Sequence, residues 1–409
     1  MSDTYTETTT TSWGSRIKSA FTGIFFGILL IVGGIVLLFW NEGRTVKNKR
    51  ALNEGEKNVI SVQAESVSPA NEAKLVHFSG LATTGDTLVD DEFGISALAI
   101  QLERKVEMYQ WEENEESSTK KKLGGSEETT TTYKYKKEWS TSLNKSSEFK
   151  VPENHENPAE FPYNSSTLYA SNVTVGAFRL SNSLIQRISN SEPLQVSKLG
   201  VDSLKNVSLN NSVIYSGEGS SSKPKIGDVK ITYTIVKPQE VSIVGKQTGN
   251  TIDAYTAKNG KTVLLLQGGK VEAEKMFETQ KASNSRMGWI LRVVGFLMIS
   301  MGFGAIFKLL SVLADVVPFI GNIISFGTSI ISAILAFAIS FIVIAIAWIY
   351  YRPVIGISLL AIGAISLIYI FVIAARKKKG SLRRAGQAKE SRQTPGFRFY
   401  LPEMLCSKK

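Results

Sequence analysis

The sequence predicts a multi-pass α-helical membrane protein with four transmembrane helices. A large, mainly β, α+β extra-cytoplasmic domain lies between helices one and two. Three observations carry this reading. Four long apolar runs punctuate the 409 residues, one near the N-terminus and three near the C-terminus. The stretch between the first and second runs is far too long for a connecting loop and is rich in Thr, Ser, Val and Tyr. A cluster of basic residues follows the last run. The mean hydropathy of +0.01 averages these two regimes and describes neither.

Residues 1–19 form a short polar segment, expected to be cytoplasmic. Ala20–Trp40 has 21 positions without a charge, enough for the ~20 residues that span a hydrocarbon core. It exceeds a signal-peptide core, and Phe39-Trp40-Asn41-Glu42 is a poor cleavage site, so it reads as a retained anchor. Residues 41–287 are the folded domain, lumenal or periplasmic. Three spans are expected after it, at 289–313, 320–350 and 354–375. Arg292 and Lys308 near the ends of the second run can snorkel. Tryptophan and tyrosine near the ends, such as Trp40, Trp289 and Trp348, suit the interface.

The net charge of +11 is localised. Residues 41–287 hold 31 basic and 31 acidic side chains, whereas 376–409 holds 11 basic and two acidic. This pattern describes a tail, not a nucleic-acid-binding face, and no nucleic-acid partner is expected. Arg376, Lys377, Lys378, Lys379, Arg383 and Arg384 place the tail in the cytoplasm by the positive-inside rule, and four spans then place both termini there. The same six residues form a candidate surface for anionic lipid headgroups. Arg44, Lys47, Lys49 and Arg50, beyond the first span, locally oppose that orientation.

Within the domain, residues 104–111 and 129–139 read as two strands of a long hairpin with a solvated tip around Lys120–Lys122 and Gly124-Gly125. Residues 229–236, 241–245 and 262–267 add strands. Phe178, Leu184, Ile185 and Ile188 fit one face of a helix over 177–190, and 271–281 reads as a charged helix entering the second span. Five Asn-x-Ser/Thr triplets, at Asn144, Asn164, Asn172, Asn206 and Asn210, are read as chance products of a Ser/Asn-rich stretch.

No phosphate loop, dinucleotide fingerprint, H-E-x-x-H or nucleophile elbow is present. Glu112–Glu116 reads as a solvated charged turn beside Lys120–Lys122. His77 and His155 are isolated and the single Cys, Cys406, sits near the end; neither a zinc site nor a disulfide framework is expected. No catalytic, cofactor-binding or metal-binding residue is assigned. Asp315, between the second and third spans, reads as an interfacial residue rather than a relay. Gly23, Gly27, Gly295, Gly302, Gly356 and Gly363 are candidate helix-packing positions, within one chain or between copies.

Several short motifs resemble the LUMA family, also called the transmembrane protein forty-three family. They are Asn41-Glu42-Gly43-Arg44 with Glu54-Gly55, Leu75-Val76-His77, Val106–Trp111 with Glu115-Glu116-Ser117, and Lys137-Glu138-Trp139. Gly227-Asp228, Ser283-Asn284-Ser285 and Tyr351-Arg352-Pro353 complete the set, over roughly residues 13–375. The resemblance implies a multi-pass protein of the endoplasmic reticulum and inner nuclear membrane in animals, and of the inner membrane in bacteria. It also implies self-association, organisation of nuclear-envelope complexes with lamins and emerin in animals, and no established catalytic residues. The lamin and emerin partners are not carried over to this chain.

The expectation is therefore a non-enzymatic scaffold that organises membrane protein complexes. Its partners would be the bilayer, its own copies, and unidentified membrane, lumenal or periplasmic proteins. A channel or transporter component built from the clustered C-terminal helices is the alternative, and a hydrolase hidden in 41–287 a weaker one.

Overall fold

The computed structural model describes residues 3–198, 207–210, 212–354 and 356–358. The tail beyond 358, with most of the expected fourth span, lies outside the described residues. The chain divides into two units, Met1–Ile344 and Ala345–Lys409. In the second, the described residues are helical apart from Arg352, whose guanidinium stands over the Trp348 ring at 5.8 Å.

The first unit opens with strand β1 (Asp3–Thr11) and helix α1 (Trp13–Asn58). Ser12 caps α1, its hydroxyl accepting from the Ser15 amide at 3.3 Å, which satisfies one orphan donor of the first turn. The helix does not stop where its apolar run stops. It continues from Trp40 through charged sequence to Asn58, so the part that the sequence assigns to the start of the domain is an extension of the anchor. Helix α3 (Ala273–Ala314) mirrors it, with a charged first part before its apolar run. Helix α4 (Pro318–Tyr351) starts on a proline, whose missing amide costs nothing at a helix start. Among the described residues, these three helices are long and apolar enough to cross a membrane.

Between α1 and α3 lies a β-rich domain. Strands β2 (Leu75–Thr84), β3 (Gln101–Lys121), β4 (Glu127–Ser140) and β5 (Phe178–Leu180) are followed by the short helix α2 (Asn182–Ile185). Then come β6 (Val213–Ser216), β7 (Val229–Val236), β8 (Gln239–Thr248) and β9 (Leu265–Gly268). One sheet has the order β1-β4-β3-β7-β6, with residues 207–210 outermost. In the second, pairings among β2, β8, residues 251–253, β5 and residues 173–175 close a ring, and β9 joins along β8. The main core lies between the sheets, where Phe78 of β2 stacks on Phe178 of β5 at 4.4 Å.

Burial alternates along β3 from Leu102 to Gln110 and then ceases. That is where the strand leaves the core. Beyond it, β3 and β4 continue as a hairpin whose register runs from Met108↔Ser140 to Lys121↔Glu127, and β1 pairs along β4 from Asp3↔Tyr135 to Thr11↔Glu127. The result is a three-stranded polar arm.

Two expectations need correcting. Residues 177–190 are not one helix: they form β5 and the single-turn α2. Phe178, Leu180, Leu184, Ile185 and Ile188 are all buried, so the apolar spacing reflects core burial and not a helix period. Glu112–Glu116 is not a turn but mid-strand in β3, where Glu112 and Glu116 pair across the hairpin with Lys136 at 2.8 Å and Lys134 at 2.6 Å.

A candidate interaction site on the helix and arm frame

Helices α1 and α3 run antiparallel with contacts at seven-residue spacing. Gly27 lies opposite Gly302, Gly34 opposite Gly295, and Asn41 opposite Gly288, whose carbonyl accepts from Asn41 Nδ2 at 2.9 Å. A heptad repeat keeps one seam facing its partner. Small residues on that seam let the backbones approach. Of the sequence-selected glycines, Gly27, Gly295 and Gly302 lie in close contact across this seam, while Gly23 has only the Ala305 carbonyl nearby, at 3.8 Å. Gly356 packs on Ile349, and Gly363 and the six tail residues Arg376, Lys377, Lys378, Lys379, Arg383 and Arg384 lie outside the described residues. The opposite faces of the pair carry exposed Phe21, Phe25, Val36, Val293 and Leu297, an apolar surface suited to lipid.

A polar girdle closes the domain end of the seam. Glu42 is fully buried and meets Arg292 Nε at 2.6 Å, and the Arg292 guanidinium stands over the Trp289 ring. Asn284 donates to the Thr45 carbonyl at 3.0 Å and accepts from Asn48 at 3.3 Å. Arg292 is thus tied down by an ion pair. Asn41-Glu42-Gly43-Arg44 and Ser283-Asn284-Ser285, far apart in sequence, meet here.

A second polar cluster closes the far end. Asp315, fully buried at the α3–α4 link, pairs with Arg16 at 2.5 Å and Lys121 at 2.7 Å. Arg16 also reaches Glu127 at 2.8 Å and the Gly125 carbonyl at 2.5 Å. The Trp13 indole donates to the Val312 carbonyl at 2.8 Å, and the Gly124 amide to Val316 at 3.1 Å. The Trp13 ring sits where a Cβ on Gly125 would be, and Gly125 has φ +81°, so this tip position requires glycine. The expected interfacial Asp315 is the anion of a clasp joining the hairpin tip to both helices. The available signal was a charge at the edge of each apolar run; nothing local to those residues marks which charges pair.

The arm spans the frame. From Met108 to Lys121 it covers about 43 Å at ~3.3 Å per residue. The α1 stretch from Arg16 to Arg44 covers about 42 Å at ~1.5 Å per residue. The arm therefore reaches from the domain to the far end of the apolar helices. Its surface is hydroxyl and charge: Thr119–Thr129 and Ser117–Thr131 bond across the hairpin at 3.0 Å, and Lys150 pairs with Glu7 of β1 at 2.6 Å. The Lys150 ammonium, hydrogen-bonded to Glu7, lowers that carboxyl's pKa, and Glu7 raises the lysine's in return. Burial, with a hydrogen bond to Glu113, pushes the Tyr135 phenol up to about 12. Asp3 meets His155 Nε2 at 2.9 Å, and the His155 ring stacks on Tyr135. Residues 3–11, set apart in sequence as an N-terminal cytoplasmic segment, are an edge strand of the domain's own sheet.

His77 stands in β2, its Nδ1 beside the Ser61 hydroxyl at 3.2 Å and its Nε2 beside the Val271 carbonyl at 2.9 Å. Burial lowers its pKa, against smaller opposing effects of the Val271 carbonyl and Glu272. These contacts give it a tethering role between the domain and the approach to α3. Among the described residues, no group of three or more His, Cys, Asp or Glu side chains is placed to hold a metal ion.

Apolar helices joined to a β domain in this way define an integral membrane protein with a folded β-rich domain. The sequence model of the family described as Transmembrane protein 43 matches residues 108–353. Transmembrane protein 43 of Rattus norvegicus is 31% identical over 372 residues, covering 88% of this chain and 92% of its own. The Homo sapiens protein is 30% identical with the same coverage, and the Drosophila melanogaster homolog is 30% identical over 360 residues, 86% of this chain and 95% of its own. The chain belongs to the Transmembrane protein 43 (LUMA) family. No solved structure matches it.

Proposed function

We propose that the protein is a non-enzymatic membrane scaffold that organises membrane protein complexes through its folded domain and through self-association. One observation carries the reading: β1, exposed along most of its length, is the outermost strand of an arm fixed at both ends. An edge strand offers unpaired backbone groups to another chain, and strand addition is a common mode of recognition. The clasp at Asp315 and the core at Met108 hold the arm, so little ordering entropy is lost on docking. The tail, with its six clustered basic residues, supports a cytoplasmic C-terminus on a four-span chain. The membrane would be the endoplasmic reticulum or inner nuclear membrane in a eukaryote and the inner membrane in a bacterium.

Crosslinking in native membranes, followed by identification of the captured proteins, tests this. Capture of copies of the chain and of defined partners, both lost on Thr6→Pro with Thr8→Pro, is the expected result. Capture of nothing, not even a second copy, would remove the basis for a scaffold.

A second reading, a channel component, draws on the arm's composition. A polar arm level with apolar spans is incompatible with lipid on its faces. Around a bilayer-embedded helix pair, it would have to face an aqueous path bounded by this chain and its copies. Solute or ion flux in reconstituted vesicles, abolished by substitutions along the arm, would favour this reading over the scaffold.

A further inference from the structure

A cavity of ≈460 Å³ opens between α1, α3 and the residues leading into β9. Its polar lining is Arg44 and Asn48 from α1, Lys261 and Thr262 from the β segment, and Gln280, Ser283 and Asn284 from α3. The balance of this lining is unusual. It holds two cations and no carboxylate. Elsewhere in the frame, buried cations meet anions directly: Arg16 meets Asp315, and Arg292 meets Glu42.

Arg44 is held with one edge unused. Its Nη atoms lie 3.5 Å from Asn284 Oδ1 and 3.2 Å from Asn41 Oδ1. Its Nε is buried with no hydrogen-bond partner. A buried donor without a partner keeps its desolvation penalty, so the structure maintains an unmet demand for an acceptor. Both contacts it does make go to neutral amides, leaving its charge uncompensated among the described residues.

The location supplies the ligand class. Arg44 is one helical turn beyond Trp40, where the apolar run of α1 ends. Met287, also in the lining, directly precedes the apolar run of α3. Trp40 and Trp289 are exposed at this level, where an aromatic belt marks the headgroup region. Lys47, Lys49 and Arg50 add exposed positive charge on the next turns of α1. These four basic residues are the ones that oppose the positive-inside pattern, and an anion bound among them gives them a role other than orientation.

We propose that this cavity binds the phosphate group of an anionic membrane lipid. The phosphate oxygens accept from Arg44 Nε and the Lys261 ammonium. Asn48 and Gln280 contact the headgroup, and the acyl chains leave past Met287 along α3. Guanidinium and ammonium groups both suit phosphate recognition, arginine with the more fixed geometry. This inference does not depend on the scaffold reading.

The test uses the full chain reconstituted in phosphatidylcholine nanodiscs containing a minor fraction of photoactivatable phosphatidylglycerol. The readout is labelling of the peptide that contains Met287, which separates this site from lipid held by the basic tail. Lys261→Gln and Arg44→Gln should each reduce that labelling about tenfold, the scale of one charge-assisted hydrogen bond. Lys145→Gln, a surface charge far along the chain, should leave it unchanged. Excess inorganic phosphate should not compete. Lys261 lies in a partly exposed turn, so its variant keeps the test valid even where Arg44→Gln fails to fold. Unchanged labelling in Lys261→Gln overturns the proposal. Loss of labelling to inorganic phosphate overturns the lipid assignment and reassigns the site to a soluble phosphate.

Discussion

Gly27 and Gly302 meet backbone to backbone: a methyl carbon on either would lie 2.6 Å from the other's carbonyl oxygen. No rotamer change relieves a clash with main chain, so the helices themselves must separate. Gly302→Val should therefore destabilise the α1–α3 pair by about 1–3 kcal/mol, the usual cost of overpacking. Gly304, two residues away with nothing within 4 Å of its Cβ position, is the control. Thermal unfolding in detergent should show a lowered midpoint for Gly302→Val and almost none for Gly304→Ala. Equal midpoints for the two variants would mean that the seam is not under packing constraint.

The clasp at the other end makes a separate prediction. Asp315→Asn leaves Arg16 and Lys121 facing a neutral amide, with Glu127 the remaining carboxylate on Arg16. Breaking a buried ion pair by removing one partner costs about 3–5 kcal/mol, and here the loss is concentrated at the arm tip. Hydrogen exchange of the tip amides, that of Gly124 on the Val316 carbonyl included, should be slow in the parent and faster with Asp315→Asn. Undiminished protection would show that the Trp13 and Val316 contacts hold the tip by themselves.

The helices and the hairpin were legible because their signals are local. An apolar run of fixed length reads directly, and so does the alternation that ends at Gln110. The polar girdle and the clasp were not legible. Glu42 and Arg292 are 250 residues apart, as are Asn41 and Gly288 within three positions, and each side chain alone looks like an ordinary charge flanking a span. The same limit hid β1: a Thr-rich stretch of nine residues has no hydrophobic face, and only its pairing with β4 makes it a strand. Residues 177–190 failed for a different reason, since the buried face of a short strand followed by a buried single turn mimics a helical stripe.

His77 gives the fold a pH dependence whose sign follows from its burial. Its folded pKa is lowered below the ordinary value of 6.5, with burial as the main cause. The unfolded chain thus takes up a proton at higher pH than the folded one. By linkage, stability is full above the unfolded pKa and falls as pH drops through 6.5 toward the lower folded value. Denaturant midpoints of the parent should decline over that window, with the decline smaller in His77→Gln. Carboxylates protonate mainly at lower pH, so comparison of the two profiles isolates the histidine. Parallel profiles would assign the decline to other groups.

A charged network around Arg104 lies in the domain core, and its energetics distinguish pairing from packing. Arg104 holds Asp90 through Nη1 at 2.8 and 2.9 Å, reaches Glu92 at 2.6 Å and donates through Nε to the Asn164 carbonyl at 2.9 Å. Tyr233 donates to the same Asp90 carboxylate at 2.7 Å, and burial with that bond raises its pKa. Arg104→Met strands Asp90, whose carboxylate keeps one phenol where it had a guanidinium as well, at a cost of about 3–5 kcal/mol. Asp90→Asn strands Arg104 less completely, because Glu92 and the Asn164 carbonyl still accept from it. Combining the two removes both charges, so the double variant should lie above the sum of the singles by about 0.5–3 kcal/mol of coupling. Chemical denaturation of the full chain in detergent measures all four corners of that cycle. Strict additivity would mean that Arg104 acts through its contact with the Phe93 ring, 5.2 Å from the guanidinium, and not through Asp90.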